Sequence, residues 1–395
     1  MFGSIYIGLS GLNAYSRGLQ QVSNNVSNLN SIGFKSTTVS FSNLETTRSD
    51  AALTFTRDTR NSNTAQGQGV QVATGRTDFR TGELRQTDRD LDISVDGNGF
   101  LVLLNGSDVR YTRTGSFEVD PDGFIVLSGT DYRLATLDAS GRAVALSIDS
   151  SRTNPPNATT RIAFADNLSS TATTYGISDV RVYDRTGKEN VWQLAFSRNQ
   201  GATDWTLTVT DQDNKTIGTQ TLKFINGAPD PATTKLNFTN ADIGLTVEFD
   251  FSANVSSFSA GTVSTLRTAS VDGNAVGTIT TLAVNEKGEL EINYSNDEKT
   301  SLGAVALADF RDPQALSQED RGLFVETIPA GRELLPSDDP RVGRALSRRL
   351  EASNVDLSRQ FGDLILIQRG FQASSQIISA SNEMIQQLFG IRGQG

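Results

Sequence analysis

The sequence predicts an α+β chain, mainly β. Helices at its N- and C-terminal ends form a coiled-coil-like domain, and two β-rich domains lie between them, the outer inserted in the inner. Three observations predict this. Apolar residues recur at heptad spacing near both ends of the 395-residue chain. The stretch between them holds short alternating runs separated by Gly, Asn, Asp and Pro turn signals. Asn154-Pro155-Pro156 marks the entrance to a second block of strands. The domains follow: 1–30 with 355–395 as a terminal helical assembly domain, and 31–70 with 341–354 as an extended connector. Residues 71–145 with 273–340 make the inner β domain, and 146–272 the outer one.

The first helix carries Ile5, Gly8, Leu12, Tyr15, Leu19, Val22, Val26 and Leu29 at alternating spacings of three and four. That is the stripe of an amphipathic helix that needs a partner. Gly3, Gly8, Gly11 and Gly18 interrupt it, and each lowers helicity by up to ~1 kcal/mol relative to Ala. Such a helix forms only when packed. Asn24, Asn25, Asn28, Asn30 and Gly33 mark its end.

Residues 31–70 are polar, with β-like patches at 37–41 and 53–56. They read as an irregular connector with one long hairpin, or as a segment disordered in isolation. In the inner block Leu91, Ile93 and Val95 alternate. Gly97-Asn98-Gly99 reads as a hairpin turn into 100–104, as do Asn105-Gly106 and Asp120-Pro121-Asp122-Gly123 for the strands around them. In the outer block, strands are expected at 180–183, 191–196, 205–210, 221–225 and 245–249, with Asp184-Arg185-Thr186-Gly187 linking the first two. A hairpin at 282–284 and 290–294 returns to the inner block, and Asp312-Pro313, Pro336 and Pro340 punctuate the exit.

The second helix begins near Val355, with Asn354 or Asp356 as its cap. Leu357, Leu364, Phe371, Ile378 and Ile385 recur every seven residues. Phe361 and Phe389 fill an intermediate seam that is otherwise polar at Gln368, Ser375 and Asn382. The helix is expected to stop before Gly390, after roughly 50 Å. The two stripes either pack on each other as a helical hairpin or face other subunits. The β-rich remainder has its own alternation, and exposed apolar stripes mark interaction surfaces.

Composition removes several function classes. The formal net charge is −10, with 35 Lys and Arg against 45 Asp and Glu. A nucleic-acid binder would carry a basic face. There is no His and no Cys. That excludes His-based triads, imidazole and thiolate metal sites, and disulfides. No catalytic, cofactor or metal site is expected, and the chain is not expected to be an enzyme. No apolar run reaches the length of a membrane span, and no cleavable signal peptide is evident, since the first basic residue is Arg17.

Weaker patterns have plainer explanations. Asp88, Asp90 and Asp92 would share one face of a strand and could bind a cation, but a solvated edge is the better reading. Asp120 with Asp122, and Asp211 with Asp213, open like calcium loops but lack the later ligands. Gly67-Gln68-Gly69 and Gly97-Asn98-Gly99 lack the third glycine and following helix of a dinucleotide site. Asn157-Ala158-Thr159 is a glycosylation-type triplet of a kind frequent by chance.

Ser23-Asn24-Asn25-Val26-Ser27-Asn28, followed by Gly33-Phe34-Lys35-Ser36, resembles the N-terminal signature of the bacterial flagellar axial proteins, the rod, hook and hook-associated family. Thr81-Gly82-Glu83-Leu84, Leu91-Asp92-Ile93-Ser94-Val95, Gly97-Asn98-Gly99-Phe100 and Tyr111-Thr112-Arg113-Thr114-Gly115-Ser116-Phe117 resemble its next blocks. Leu350-Glu351-Ala352-Ser353-Asn354-Val355-Asp356-Leu357, then Gln368-Arg369-Gly370-Phe371, is similar to its C-terminal signature. The resemblance marks Asn24, Asn25, Asn28, Gly33, Phe34, Lys35, Asn354, Val355, Asp356, Gln368 and Arg369 as motif residues. It implies that Ile5, Leu12, Tyr15, Leu19, Val22, Val26, Leu29, Leu357, Phe361, Leu364, Phe371, Ile378 and Ile385 carry subunit assembly.

The inserted block, with Val182-Tyr183-Asp184 and the Trp192 and Trp205 strands, resembles the outer domain of hook members. This implies a structural subunit of a flexible hollow tube, a universal joint carrying motor torque from rod to filament. The long stretch 43–69 is similar to the connector of distal rod members. It keeps a rigid drive shaft as an alternative, beside a hook-associated junction protein. The implied partners are copies of the same chain, a distal rod protein, a hook cap protein, a hook-filament junction protein and the flagellar type III export apparatus. No nucleic acid and no membrane insertion are implied. The implied location is the extracellular hook and basal body, reached without a cleaved signal peptide.

Overall fold

A computed structural model describes residues 2–43, 69–73, 75–199, 202–259, 261 and 263–392. The chain divides into two units. The first comprises Met1–Ser147, Ala283–Glu291 and Ser301–Gly395, and the second Ile148–Leu282 and Ile292–Thr300.

In the first unit, α1 (Phe2–Ser27) and α2 (Leu357–Arg392) pack on one another. Two of the glycines that weaken α1 as an isolated helix, Gly8 and Gly11, lie closest to α2. A Cβ on Gly8 would lie 2.7 Å from Ile378 Cγ1, and one on Gly370 of α2 would lie 2.4 Å from the Tyr15 ring. Small residues let the backbones approach, so packing replaces the helicity that glycine forfeits. Asp356 caps α2, its Oδ1 accepting from the backbone N–H of Ser358 at 2.9 Å and of Arg359 at 3.3 Å. This decides between the two candidate caps. The helix runs on through Gly390 to Arg392, past the stop expected from the sequence, since one glycine weakens a helix without breaking it.

After α1 the chain pairs Thr37–Thr38 with Arg76–Thr77, and Phe41–Asn43 with Val70–Val72. Phe41 reaches the ring of Tyr15 at 5.0 Å between centroids. The expected patch at 53–56 and the pair Gly67-Gln68 lie outside the described residues.

The β body of this unit is built on a twelve-stranded sheet. Phe100–Asn105 pairs with Asp108–Thr112, and Thr114–Val119 with Ile125–Leu127, as their turn residues predict. Phe100 anchors the core, with edge contacts to Phe310 at 5.5 Å and Phe324 at 5.6 Å.

Two readings are corrected here. Gly97-Asn98-Gly99 is not a hairpin turn. Strand Asp92–Asp96 pairs with 114–116 and Arg344–Ser347, whereas Phe100–Asn105 pairs elsewhere. The glycines are there because another segment crosses them: a Cβ on Gly97 would lie 2.4 Å from the Val342 carbonyl oxygen. Nor do three aspartates share a solvated strand edge. Asp88 and Asp90 precede the strand, Asp90 pairs with Arg348 at 2.5 Å, and Asp92 is buried. Strand 92–96 is covered on both faces, so Ile93 and Val95 are buried together with Asp92 and Ser94.

The second unit packs two sheets around Trp192, Trp205, Phe164, Phe249 and Phe251. One sheet is an antiparallel run of Thr174–Tyr183, Glu189–Ser197, Trp205–Thr210 and Thr216–Leu222. The other is mixed. Its strand Arg161–Asn167 lies parallel to Leu245–Asp250 and Val255–Ser256. Asn157 and Asn274 hydrogen-bond to each other through both backbone groups, at 3.1 and 3.0 Å. The Asn157-Ala158-Thr159 triplet belongs to this junction: Thr159 is fully buried, and the Asn157 side-chain amide donates to the Asp272 carbonyl. Asp120 Oδ1 and Asp211 Oδ1 accept backbone N–H groups of their own turns.

Candidate assembly site

The helix pair has two kinds of face. The side that α1 turns to α2 consists of Gly8, Gly11, Ala14, Gly18, Val22 and Asn25, all buried. Among the described side chains of α2 the buried ones are Gln360, Ile367, Ser374 and Ser381, seven apart. Small and polar residues, with Val22 and Ile367 beside them, thus form most of the contact within the chain.

The larger stripe residues flank this contact. Val22 is buried, whereas Ile5, Leu12, Tyr15, Leu19, Val26 and Leu29 are half-buried, as are Leu364, Ile378 and Ile385. Leu357, Phe361 and Phe371 are exposed, Phe361 by 53%. Tyr6, Leu9, Ile365, Leu366, Ile377 and Met384 add to the exposed apolar surface, Leu366 at 69%. Each such side chain gains about 1.5–3 kcal/mol when fully buried. The motif residues Gln368 and Arg369 lie exposed on α2. Phe389 falls on α2, but its side chain is outside the described residues.

Most of the other motif residues gather at the foot of the pair. Asn25 donates to Gln360 Oε1 at 3.0 Å and to the Thr37 carbonyl at 2.8 Å, and its Oδ1 accepts from Thr37 N–H at 3.0 Å. One side chain thereby binds α1 to α2 and to the outgoing chain. The Asn28 amide donates to the Asn24 carbonyl and side chain, closing the last turn of α1. Asn354 accepts from Ser36 N–H at 2.8 Å and donates to the carbonyls of Asp78 and Arg80. Phe34 is half-buried beside it, its carbonyl accepting from Asn354 N–H, and Val355 is buried.

Beneath these lies a buried charge cluster. Lys35 Nζ is 2.5 Å from Glu351 Oε1 and donates to the Arg80 carbonyl at 2.8 Å. Arg113 Nε is 3.4 Å from Glu351 Oε2, and its terminal nitrogens donate to the carbonyls of Gly97 and Gly99 and to Thr81 Oγ1. Glu351 Oε1 also accepts from Gly82 N–H at 2.7 Å, while its carbonyl accepts from Gly33 N–H at 2.8 Å. Gly33 sits in the left-handed region at φ +69°, and a Cβ on Gly82 would strike the Ala352 carbonyl. Burial pushes the Lys35 ammonium below its usual pKa, against the pull of Glu351. Burial likewise lowers that of Arg113. The hydrogen bond from Arg80 holds the Asp78 carboxyl below its usual range.

Among the described residues no group of three or more His, Cys, Asp or Glu is placed to hold a metal. Among the same residues no helix is long and apolar enough to cross a membrane.

Comparison with known proteins finds matches to flagellar proteins. The family model described as flagellar basal body rod FlgEFG protein C-terminal matches residues 346–391. That described as flagellar hook protein FlgE/F/G D1 domain matches 94–167. The flagellar hook protein FlgE of Borreliella burgdorferi is 28% identical over 98% of this chain and 99% of its own. That of Treponema pallidum is 26% identical over 99% and 100%, and that of Salmonella typhimurium 28% over 97% and 98%. From end to end, the chain is similar to flagellar hook proteins. These end-to-end matches to hook proteins set aside the rod and junction alternatives. Among solved structures, the Helicobacter pylori flagellar hook protein FlgE2 aligns at a TM-score of 0.48 and 11% identity, covering 69% of this chain and 100% of that one.

The sequence singled out Lys35 and Asn25 but not their partners Glu351, Arg113 and Gln360. Glu351 and Arg113 stood inside motif blocks, though nothing local announces that they meet. The buried heptad of α2 was missed because it is made of Gln, Ile and Ser, and two of those three residue types carry no hydrophobic signal.

Proposed function

We infer that this chain is the structural subunit of a flagellar hook, a self-polymerising protein of the bacterial flagellum with no catalytic role. The observation that carries the mechanism is the apolar surface left on the paired helices, from Tyr6 and Leu9 on α1 to Phe361, Leu366 and Phe371 on α2. Such a surface is stable in water only once neighbouring copies cover it. We assign the stripe residues to contacts between copies, which line an inner helical tube. Head-to-tail contacts of this kind do not close, and so build an open filament.

The β body and the second unit then form the outer blocks of the wall. Polar contacts between outer blocks of neighbouring copies allow the tube to bend while it turns. In this proposal the chain leaves the cell unfolded through the flagellar type III export apparatus, without removal of a signal peptide. It adds beneath a cap protein, and it meets a distal rod protein at one end and a junction protein at the other.

The test is electron microscopy of basal bodies from a strain lacking this chain. A complete rod without a hook is the expected result. A truncated rod, or intact flagella, would overturn the proposal.

A further inference from the structure

The cluster of Lys35, Arg113 and Glu351 combines three features that together ask for a role. All three side chains are buried, with Lys35 and Glu351 at 0% exposure and Arg113 at 1%. They come from three distant segments: the chain leaving α1, the turn between two strands of the β body, and the chain entering α2. Their charges do not balance, since two cations share a single carboxylate.

We propose that Glu351 is the keystone of a charge clasp that fastens the segments leading to both terminal helices onto the β body. Every hydrogen-bonding group of this residue is engaged. Its carboxylate takes Lys35, Arg113 and Gly82 N–H, its carbonyl takes Gly33 N–H, and its own N–H donates to Thr114 Oγ1 at 3.1 Å. Lys35 follows α1 by a short turn and Glu351 precedes α2 by another, so the clasp fixes both helices at their roots. Without it, the helix pair would hang from two tethers. With it, force on the helices reaches the β body through a fixed joint. Only that mechanical use rests on the hook reading. The clasp is a property of the single chain, so either can fail while the other stands.

The unequal charges make the proposal specific. Replacing Lys35 by Met leaves Arg113 and Glu351 as a neutral pair. Replacing Glu351 by Gln leaves two buried cations without an anion, and an unpaired buried charge is the costly case. Replacing both leaves one cation, still held by the carbonyls of Gly97 and Gly99. The predicted order of damage is therefore K35M, then K35M/E351Q, then E351Q. A merely space-filling role would make the double variant at least as damaging as either single one.

The experiment is hydrogen exchange on the full-length chain, read at the amides of Gly33, Gly82 and Ala352, with the Phe100–Asn105/Asp108–Thr112 hairpin as internal reference. E351Q is expected to lose roughly tenfold or more of its protection at the three amides, with the reference unchanged and the double variant intermediate. If E351Q is not recovered folded while the double variant is, the same order holds. Wild-type protection in E351Q, or a K35M or double variant as damaged as E351Q, would overturn the clasp.

A second readout is the pH dependence. The groups facing Lys35 are Glu351, Arg113 and Asp78, and those facing Arg113 include Asp96. Without Glu351, a buried Lys35 sheds its proton more readily than the unfolded chain does, so stability rises with pH. The melting deficit of E351Q should narrow over the alkaline range below the ordinary lysine pKa of about 10.4. A deficit constant across that window would count against the shared carboxylate.

Discussion

Asn25 of α1 and Gln360 of α2 share a buried hydrogen bond of 3.0 Å across 335 positions of sequence. A polar pair inside a helical contact fixes its register, because any slip leaves both amides unsatisfied. Asn25→Ala removes three hydrogen bonds and orphans Thr37 N–H. The expected cost is about 1–3 kcal/mol, seen as a lower midpoint when polymers of the variant are melted. Unchanged melting would mean that the pair is incidental.

Leu19 and Leu364 test the flanking surface, since both are half-buried on the chain alone. Leu19→Asp or Leu364→Asp should abolish polymerisation while leaving the β domains folded. Each ~1.4 kcal/mol lost per contact lowers association roughly tenfold, and the contact repeats in every subunit. Sedimentation and electron microscopy read the polymer. Near-ultraviolet dichroism of Trp192 and Trp205 reads the fold of the second unit. Normal filaments from either variant would refute the stripe assignment.

The paired backbones of Asn157 and Asn274 make a natural excision point. Replacing residues 158–273 by a two-residue Asn-Gly turn should leave a chain whose first unit still folds and polymerises, with altered bending or shape. Circular dichroism and the curvature of the resulting tubes check this. A chain that does not fold would place the boundary elsewhere.

Asp250 gives a pH prediction for the second unit. Burial opposes its ionisation, but the Ser252 hydroxyl and N–H and the Arg161 guanidinium outweigh burial and hold the carboxyl below its usual pKa. A depressed carboxyl contributes stability that is present above the unfolded pKa and lost as pH falls through the folded one. Arg161 is largely exposed, so Arg161→Gln should cost little near neutrality. The gap to wild type should close as the pH falls below the ordinary carboxylate range. Urea melts followed by Trp fluorescence measure both.

What was legible in the sequence was what local chemistry encodes. The heptads of large apolar residues announced both helices, and Asn105-Gly106 and Asp120-Pro121-Asp122-Gly123 announced their hairpins. What stayed hidden depended on distant chain. Gly97 and Gly99 look like a turn until the crossing of Val342–Gly343 is known. The strands at 161–167, 235–240 and 267–271 went unread. The parallel pairing of Arg161–Asn167 with Leu245–Asp250 leaves no local mark. Asp92 looked solvated because alternation predicts one open face, and this strand has none. The foot of the helix pair was half-legible: Asn25, Lys35 and Asn354 stood out in motifs, but their partners lie hundreds of positions away.

The seam of Gly8, Gly11, Ser374 and Ser381 has a consequence for how the chain lives before it assembles. Because small residues make up much of the contact between α1 and α2, many bulky apolar side chains of both helices are left over. The molecule thus divides labour by size, with small residues for its own cohesion and large ones for its neighbours. An isolated copy is accordingly greasy along the length of its helices, and its tendency to associate should rise with its concentration. Crowding that would be a hazard for an ordinary enzyme is, for this chain, the condition under which its surface is complete.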